Sequence, residues 1–505
     1  TPRLPAAPVR RLPRTMAARL SLAVVLFAAL GLASTPAAAQ QGPPAPRPDT
    51  AGTTVPCRPD DDCPVLELET FLRRVLRTSP QARSLRLADD RATAELLDAR
   101  GGFGPRLVSG YEYKTQADKA KFNVLRSGLR QPLNLPMSPT LKVDYRRGLG
   151  SSTDPSVVTS RAGETRVGVS LSPLAGLFTD KRRAELDKAR LGPRRARAQQ
   201  AKARNKLLRD ATHAFWDWVG ARRKLEIARD LLELARRREA LITRRARAGE
   251  VPAIDSVEAQ RITAGREGTL ADAIRAATQK RVALATFLWG DEGAPKAARY
   301  APPPVPSDST LEPIRIAAAV DTALARRPTL RTLDVKQRQA RIEQSLARSR
   351  LRPKLKLEAQ AVSYDESPLD VTDVKVGLQI EQPLFFRSGR SGAERARIKT
   401  RELDFEQDIT EQKVRADVEA AAVAVRQARQ RARSARRSVT LARRLREAEQ
   451  RRFDRGQGTL FRLNRREQSL ASARRKLVSA RIDVLRARAT YRWATGTIAD
   501  AYRPR

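Results

Sequence analysis

The sequence between Leu66 and Gly496 contains one series of landmarks twice, and this duplication constrains the fold more than any single motif does. Three pairs of element-breaking residues recur in the same order: Pro80 with Pro328, Pro105 with Pro353, and Gly249 with Gly456. Such a repeat indicates one supersecondary unit present in two copies. Each half therefore predicts a helix with a proline in its early turns, two strands, a long helix, a glycine turn and a return helix that ends at Trp289-Gly290 or Thr495-Gly496.

Four segments alternate apolar and polar residues with the period of two that is typical of half-buried strands. Their apolar members are Leu107, Tyr111 and Tyr113; Val167, Val169 and Leu171; Leu355, Leu357 and Ala359; and Val374, Val376, Leu378 and Ile380. Strands of about ten residues are long enough to cross a bilayer when tilted. Four strands cannot close a barrel, so we expect other subunits to complete the sheet. The first half carries an additional hairpin extension around Lys114 to Arg161.

The long helical segments have a seven-residue apolar period, which is typical of coiled coils. The outgoing helix of the second half has the seam Val414, Val418, Ala421, Val425, Ala428, Ala432, Ala435, Val439 and Ala442. Its return helix has the seam Leu470, Ala473, Leu477, Ala480, Val484, Ala487, Tyr491 and Ala494. The first half has a noisier seam at Ala211, Trp218, Leu225 and Leu232. Alanines in such a seam let helices approach closely, and one helix over Arg387–Phe453 would be about 100 Å long.

The N-terminal residues have the order of a secretory signal peptide. Four arginines between positions 10 and 19 precede the apolar run Leu20–Leu32, and Ala37-Ala38-Ala39 offers a cleavage site before Gln40. We therefore predict a signal peptide at 1–39, with Met16 as the translation start, and a disordered leader at 40–65. No later segment has the 18 or more uncharged apolar residues of a membrane helix, so membrane insertion would use strands.

The chain is strongly basic, with 99 Lys and Arg against 56 Asp and Glu and a formal net charge of +43. Such a balance is typical of proteins that bind nucleic acid or an anionic surface. Export argues against nucleic acid as a partner. The favoured interpretation is arginines on the solvated faces of long helices, with attraction to anionic lipid or cargo as the alternative.

The sequence offers no constellation of residues for catalysis, for a cofactor or for a metal ion. His213 is the single histidine, and beside Phe215, Trp216 and Trp218 it is interpreted as a packed or interfacial helix residue. Cys57 and Cys63 lie in a Pro- and Asp-rich stretch. In an oxidising compartment they can close a small disulfide loop or remain thiols, and the spacing leaves both states open.

The ordered duplication resembles the TolC outer-membrane efflux family over nearly the whole mature chain. The best local matches are the two hairpin tips, Gly249 to Val257 and Gly456 to Asn464. The resemblance implies a mixed, mainly α fold with long antiparallel coiled-coil helices in an α-helical periplasmic tunnel. It also implies four transmembrane strands per chain that complete a β-barrel in a homotrimer, within the outer membrane of a Gram-negative bacterium. The tunnel tips would meet a periplasmic adaptor attached to an inner-membrane pump, and the matching residues are Gly249, Val251, Gly456, Thr459 and Leu460.

The resemblance also assigns residues to the periplasmic entrance. Asp255 matches an acid of the first hairpin that helps to link the hairpins. Arg462 and Arg465 stand where the family often has Asp, and Phe453 stands where a Tyr hydroxyl would form a link. Our hypothesis is an entrance ringed by arginine that disfavours divalent cations, with Asp255 as an ion-pair partner of Arg462.

The predicted organisation has six parts: a signal peptide (1–39), a leader (40–65), a first structural repeat (66–290), a Pro-rich linker (291–312), a second repeat (313–496) and a tail (497–505). The predicted function is an outer-membrane channel that conducts solutes passively from the periplasm or an inner-membrane pump to the exterior, without catalysis. The main alternative is a periplasmic coiled-coil scaffold without channel activity, and a weaker one is a basic nucleic-acid-binding protein. The alternating strands disfavour both alternatives.

Overall fold

The computed structural model of the chain describes residues 64–116, 119–150, 159–174, 179–290, 300–306, 314–364, 370–382 and 384–502. The predicted signal peptide, Cys57, Cys63 and nearly all of the leader lie outside these residues, as does most of the Pro-rich linker. In the part of the chain that is described, no helix is long and apolar enough to span a membrane.

Each repeat opens with two consecutive helices that correspond residue by residue. The helices α1 (Leu68–Thr78) and α2 (Pro80–Gly101) recur 248 positions later as α6 (Ile316–Arg326) and α7 (Pro328–Ser349). The prolines therefore do not lie in the early turns of one helix, as the sequence predicted, but begin a second one. Proline is favoured at that position because the first backbone N–H of a helix has no partner to lose.

A single antiparallel sheet follows, in which the strands pair in chain order. They are β1 (Arg106–Gln116), β2 (Lys119–Pro132), β3 (Thr140–Gly150), β4 (Glu164–Leu171), β5 (Lys354–Ser363) and β6 (Asp373–Glu381). The prediction of four strands was wrong for the described residues: the additional hairpin of the first half is β2–β3, and it pairs with β1 on one side and β4 on the other. Strands β1 and β6 are the two edges.

The sheet separates apolar and polar side chains onto opposite faces. One row of paired residues crosses all six strands on the apolar face: Leu107, Leu129, Val143, Val167, Ala361 and Val374. All of these except Ala361 are exposed. The next row consists of Arg106, Arg130, Lys142, Gly168, Gln360 and Lys375. Because successive side chains of a strand point to opposite faces, this second row lies on the polar face.

Two long helical hairpins connect to the sheet. The first consists of α3 (Lys181–Arg190), α4 (Gly192–Arg247) and α5 (Ala253–Ala285), and the second of α8 (Arg387–Asp454) and α9 (Leu460–Ala494). The prediction of one helix from Arg387 is confirmed, since α8 has 68 residues. Its counterpart is interrupted at Leu191, directly before the helix start at Gly192-Pro193. The return helix α5 ends at Ala285, before the predicted Trp289-Gly290 stop.

The predicted heptad seams are the buried faces of these hairpins. In α8, Val414, Val418, Val425 and Ala428 are fully or almost fully buried, and Ala435 and Ala442 are partly buried. In the first hairpin, all four predicted seam residues, Ala211, Trp218, Leu225 and Leu232, are buried. The seven-residue period therefore identified the contact faces correctly in both halves.

An aromatic cluster joins the first hairpin to the short helices. Phe215 stacks on Phe71 with ring centroids 5.4 Å apart, and Trp216 and Trp218 surround it. His213 lies beside this cluster, and its Nε2 atom is 3.2 Å from the carbonyl oxygen of Arg486 and 3.1 Å from the hydroxyl of Thr490. Burial and the nearby Arg486 charge lower the pKa of His213. The interpretation of His213 as a packed residue is confirmed.

Candidate functional site

The two hairpins end in tips, which we define as residues 249–257 of the first hairpin and residues 453–466 of the second. Gly249 and Gly456 have φ angles of +76° and +74°. In each case the following residue donates its backbone N–H to a carbonyl five positions earlier, from Glu250 to Arg245 and from Gln457 to Arg452. This is the hydrogen bond of a Schellman helix end, which requires a left-handed residue that glycine adopts without strain.

The tips pack against each other through an apolar cluster. Leu460 is buried against Ile242 and Ala259 of the first hairpin, and Val251 and Phe453 pack at its edge. Leu460 therefore supports the contact between hairpins, and within one chain its side chain is buried. Phe453 packs against the same cluster and is partly buried.

Three large apolar side chains near the tips remain exposed. Ile254 is 68% exposed, Val257 is 58% exposed and Phe461 is 60% exposed. Gly249 and Gly456 are exposed beside them, and so is Thr459, whose hydroxyl accepts the backbone N–H of Arg462 at the start of α9. These three residues lie within the two tip segments but were not among the predicted contact residues. The available signal was their chemistry, since large apolar residues that lie outside a buried seam suggest a contact surface.

The aperture residues have a different arrangement from the predicted pair. Within the described part of one chain, Asp255 and Arg462 do not form an ion pair. Arg462 and Arg465 are both exposed, as is Arg466. Because residues three apart share a helix face, Arg462 and Arg465 present their charges side by side on α9.

A buried ion pair links the two hairpins about two to two and a half helical turns from the end of α4 at Arg247 and the start of α9 at Leu460. Both Nη atoms of Arg238 donate to the carboxylate of Glu467, at 2.6 and 2.7 Å, and the two side chains are only 13% and 6% exposed. Arg266 of α5 is buried beside them and donates to the side-chain oxygen of Asn464 at 2.9 Å. Burial lowers the pKa of the Arg266 guanidinium, and the Glu467 charge opposes that shift. We call Arg238, Arg266, Asn464 and Glu467 the interhairpin clamp.

The clamp was missed from the sequence, although one signal was present. Glu467 lies between Leu463 and Leu470 at the steps of four and three that define the seam of α9. A charged residue in an apolar seam requires a partner when it is buried. The partner itself lies on another hairpin, so its identity could not be read from α9.

The polar face of the six-stranded sheet carries ion pairs. The hairpin β2–β3 contributes the basic member of three pairs: Arg126 with Glu112 at 3.0 Å, Arg146 with Glu164 at 3.2 Å, and Lys142 with Glu358 at 2.7 Å. The opposite face is exposed and apolar. A sheet with these two faces fits between lipid on one side and water on the other.

The described residues contain no group of three or more His, Cys, Asp or Glu side chains that could hold a metal ion. A cavity of about 970 Å³ lies between α2, α4 and the α6–α7 junction and is lined by several arginines, among them Arg86, Arg197 and Arg331.

Comparisons with known proteins agree with this geometry. The fold is similar to VceC, an outer membrane protein of Vibrio cholerae, with a TM-score of 0.63 and 15% identity over 85% of this chain and 96% of that one. It is similar to the MtrE outer membrane channel of Neisseria gonorrhoeae, with a TM-score of 0.61 and 16% identity over 85% and 88% of the two chains. The CmeC outer membrane channel of Campylobacter jejuni gives a TM-score of 0.60 and 15% identity over 85% of each chain.

At this level of identity the solved structures establish the fold, and no curated protein sequence matches the chain. The family itself is identified from sequence. The model of the outer membrane efflux protein family matches residues 71–290 and 319–497, which cover both structural repeats. The duplication, the two long hairpins and the amphipathic sheet are therefore those of an outer-membrane efflux channel, and the chain belongs to the outer membrane efflux protein family.

Proposed function

We propose that three copies of this chain close into one channel that conducts solutes passively out of the cell, with no covalent step, while a partner pump supplies the energy. Channels of this family are generally trimeric and work with efflux pumps. The observation that supports the trimer most directly is the pair of open edges, β1 and β6, on a sheet with an exposed apolar face. In lipid, unpaired backbone groups at an edge cost several kcal/mol each, so the edges require strands from other copies.

The test of the channel is its state in the outer membrane. The full chain should be extracted by detergent from outer membranes as a heat-modifiable trimer, and it should produce discrete conductance steps in a planar bilayer. Recovery as a soluble periplasmic monomer would support the scaffold alternative and overturn this proposal.

We further propose that the tips dock onto a periplasmic adaptor through Ile254, Val257 and Phe461, around the exposed turns at Gly249 and Gly456. These side chains are apolar, exposed and adjacent to rigid turns. The second tip also carries four arginines, at positions 455, 462, 465 and 466, against one acid, Asp454. An adaptor surface with apolar pockets and acidic residues would complement both features.

Docking and membrane insertion can be separated by substitution. Phe461→Asp and Ile254→Asp should abolish co-purification of the adaptor and leave the amount of outer-membrane trimer unchanged. Gly249→Val and Gly456→Val should also impair docking, because valine is strained at a positive φ. Gly265→Ala in the middle of α5, where an added methyl group meets nothing within 4 Å, is the matched control. Equal losses of trimer and of adaptor binding would contradict the tip assignment.

The periplasmic entrance is proposed to be basic. Rings of charged side chains at a constriction favour ions of opposite sign, and three copies of Arg462 and Arg465 would form such a ring. Single channels should therefore prefer anions over cations, and Arg462→Asp should shift the reversal potential in a salt gradient toward cation preference. Cation preference that this substitution leaves unchanged would refute the assignment of Arg462 to the entrance.

A further inference from the structure

The hairpin β2–β3 lies in the middle of the sheet and not at its margin. It separates β1 from β4, which would otherwise be neighbours, and every residue of β3 from Thr140 to Gly150 pairs with β2. The apolar row continues through it without a change of face, from Leu107 to Leu129, Val143 and Val167. A hairpin that lay outside the wall or folded into the lumen would break this row.

The polar face holds the hairpin in place by specific contacts. Lys142 reaches Glu358, two strands away, across Gly168 of the intervening strand. A side chain at Gly168 would be blocked, since its Cβ would lie 2.3 Å from the carbonyl oxygen of Ala359. The pairs of Arg126 with Glu112 and of Arg146 with Glu164 fix the two flanks of the hairpin.

The turn between β2 and β3 is also anchored to the segments below the sheet. Met137 and Ser138 have positive φ angles of 64° and 47°, which side chains other than glycine adopt at a cost. The Met137 carbonyl oxygen accepts the backbone N–H of Ser172 at 2.7 Å, and the Ser138 hydroxyl donates to Asp180, which caps α3. Gln131 donates to the carbonyl oxygen of Phe103 at 2.6 Å. Strain held by contacts on both sides indicates a fixed position in the wall.

From these contacts we infer that β2 and β3 are wall strands of the membrane barrel, so that three copies close an eighteen-stranded barrel instead of a twelve-stranded one. This inference rests on the proposed trimer. With strands about 4.8 Å apart and tilted by about 40°, eighteen strands give a backbone radius of about 18 Å and twelve give about 12 Å. The barrel of eighteen strands is thus about half again as wide as one of twelve strands. Its lumen admits bulkier cargo at the outer membrane than the lumen of a twelve-stranded barrel would.

The helices can carry a sheet of this width. Six tilted strands occupy about 38 Å of circumference per chain. Each chain contributes four helical columns near the sheet, which are α2, α3 continued by α4, α7 and α8, and four near the tips, which are α4, α5, α8 and α9. Four helices at spacings of 8–10 Å occupy about 32–40 Å. The wider barrel therefore needs no widening of the tunnel.

The direct test is to image the full-length trimer in a lipid nanodisc by electron cryo-microscopy and to count the strands. Eighteen strands in one closed wall are expected. A trimer with a twelve-stranded wall and a separate β2–β3 hairpin would overturn the inference and leave the proposed channel intact. Failure to find any trimer would refute the channel proposal, and the inference with it.

A labelling experiment tests the same point without imaging. In a Cys57→Ser, Cys63→Ser background, Leu125→Cys should react in membranes with a lipid-soluble maleimide, and its neighbour Arg126→Cys should react with a charged, water-soluble one. The same alternation is expected for Leu141→Cys and Lys142→Cys on β3. Reaction of all four with the charged reagent would place the hairpin outside the lipid-facing wall.

Deletion of the β2–β3 hairpin tests how wide the lumen of the barrel is. Deleting residues 117–150 joins the outer end of β1 to the segment before β4, which leaves Leu107 able to face Val167 on the apolar side. The excised trimer should exclude smaller uncharged polymers, added from the extracellular side, than the parent does, consistent with a backbone radius smaller by about a third. An unchanged polymer cut-off in a stable excised trimer would overturn the inference.

Discussion

Neutralising Glu467 should separate the two hairpins of each chain near their tips. Glu467→Gln keeps the shape of the side chain and removes its negative charge, so Arg238 and Arg266 stay buried without their counter-charge. Removing one partner of a buried ion pair costs about 3–5 kcal/mol. Each 1.4 kcal/mol changes an equilibrium constant about tenfold, so the constant for local opening should rise by about two to three and a half orders of magnitude.

Hydrogen exchange of the backbone amides in the purified trimer measures this constant directly. The amides near Glu467 on α9 and near Arg238 on α4 should exchange faster by that factor, and those in the sheet should not change. The matched control is Glu267→Gln, since Glu267 forms a pair with Arg236 whose side chains are 52% and 62% exposed. Such a surface pair contributes about 0–1 kcal/mol.

A rescue variant separates charge from contact. Combining Arg238→Met with Glu467→Leu replaces the ion pair by apolar side chains, a change that is often neutral or stabilising in buried sites. The double variant should restore much of the protection from hydrogen exchange that the Glu467→Gln variant loses. If Glu467→Gln accelerated exchange no more than Glu267→Gln does, the clamp would have no role in holding the hairpins together.

Two further predictions concern the helical hairpins. Gly220→Ala should destabilise the protein by about 1–3 kcal/mol, because the added Cβ would lie 2.9 Å from Cγ1 of Ile482 on α9. Gly265→Ala, which meets open space, should instead stabilise it by about 0.5–1 kcal/mol, and denaturant unfolding of both variants checks the difference. Burial and the charge of Arg486 lower the pKa of His213 below the ordinary 6.5, so on acidification below 6.5 the unfolded chain takes up a proton before the folded chain does and stability falls. His213→Gln should remove this part of the pH dependence, and a pH profile identical to that of the parent would contradict it.

The parts of the fold that were predicted correctly are those encoded by a repeated local pattern. The α8 seam consists of nine apolar residues spaced three or four positions apart between Val414 and Ala442. Their burial on one face follows from helix geometry alone. The same holds for the glycine turns, because a residue that ends a helix in the left-handed region is recognisable by type. Gly249 and Gly456 needed no information from elsewhere in the chain.

The strands β2 and β3 were missed as members of the sheet because their alternation is impure. Arg147 lies on the apolar face, and Val124 lies on the polar face, where it is fully buried. Leu125 and Leu129, with Leu141 and Val143, did carry the period of two. A short pattern with such exceptions does not specify whether the hairpin pairs with its own neighbours or extends away from them, since that depends on contacts such as Lys142 with Glu358.

The burial of Leu460 at the tip could not be predicted for a different reason. Leu460 is the first residue of α9 and lies three positions before Leu463 of the seam, but the local pattern does not show which hairpin meets it there. Leu460 is buried only because Ile242 and Ala259 of the other hairpin meet it. The burial of a tip residue is thus a property of two hairpins together.

The tips combine two forces of opposite sign, and this limits how a partner can open the channel. In the proposed trimer, the arginines of three second tips would repel one another, and salt would screen that repulsion over about 8 Å at physiological ionic strength. The interhairpin clamp and the Leu460 cluster are desolvated and respond weakly to salt. An acidic partner that only neutralised the arginines would therefore favour the joined hairpins. A ligand shifts an equilibrium only by its difference in affinity for the two states. Opening thus requires contacts, such as those offered by Ile254, Val257 and Phe461, that fit the adaptor better once the hairpins have separated.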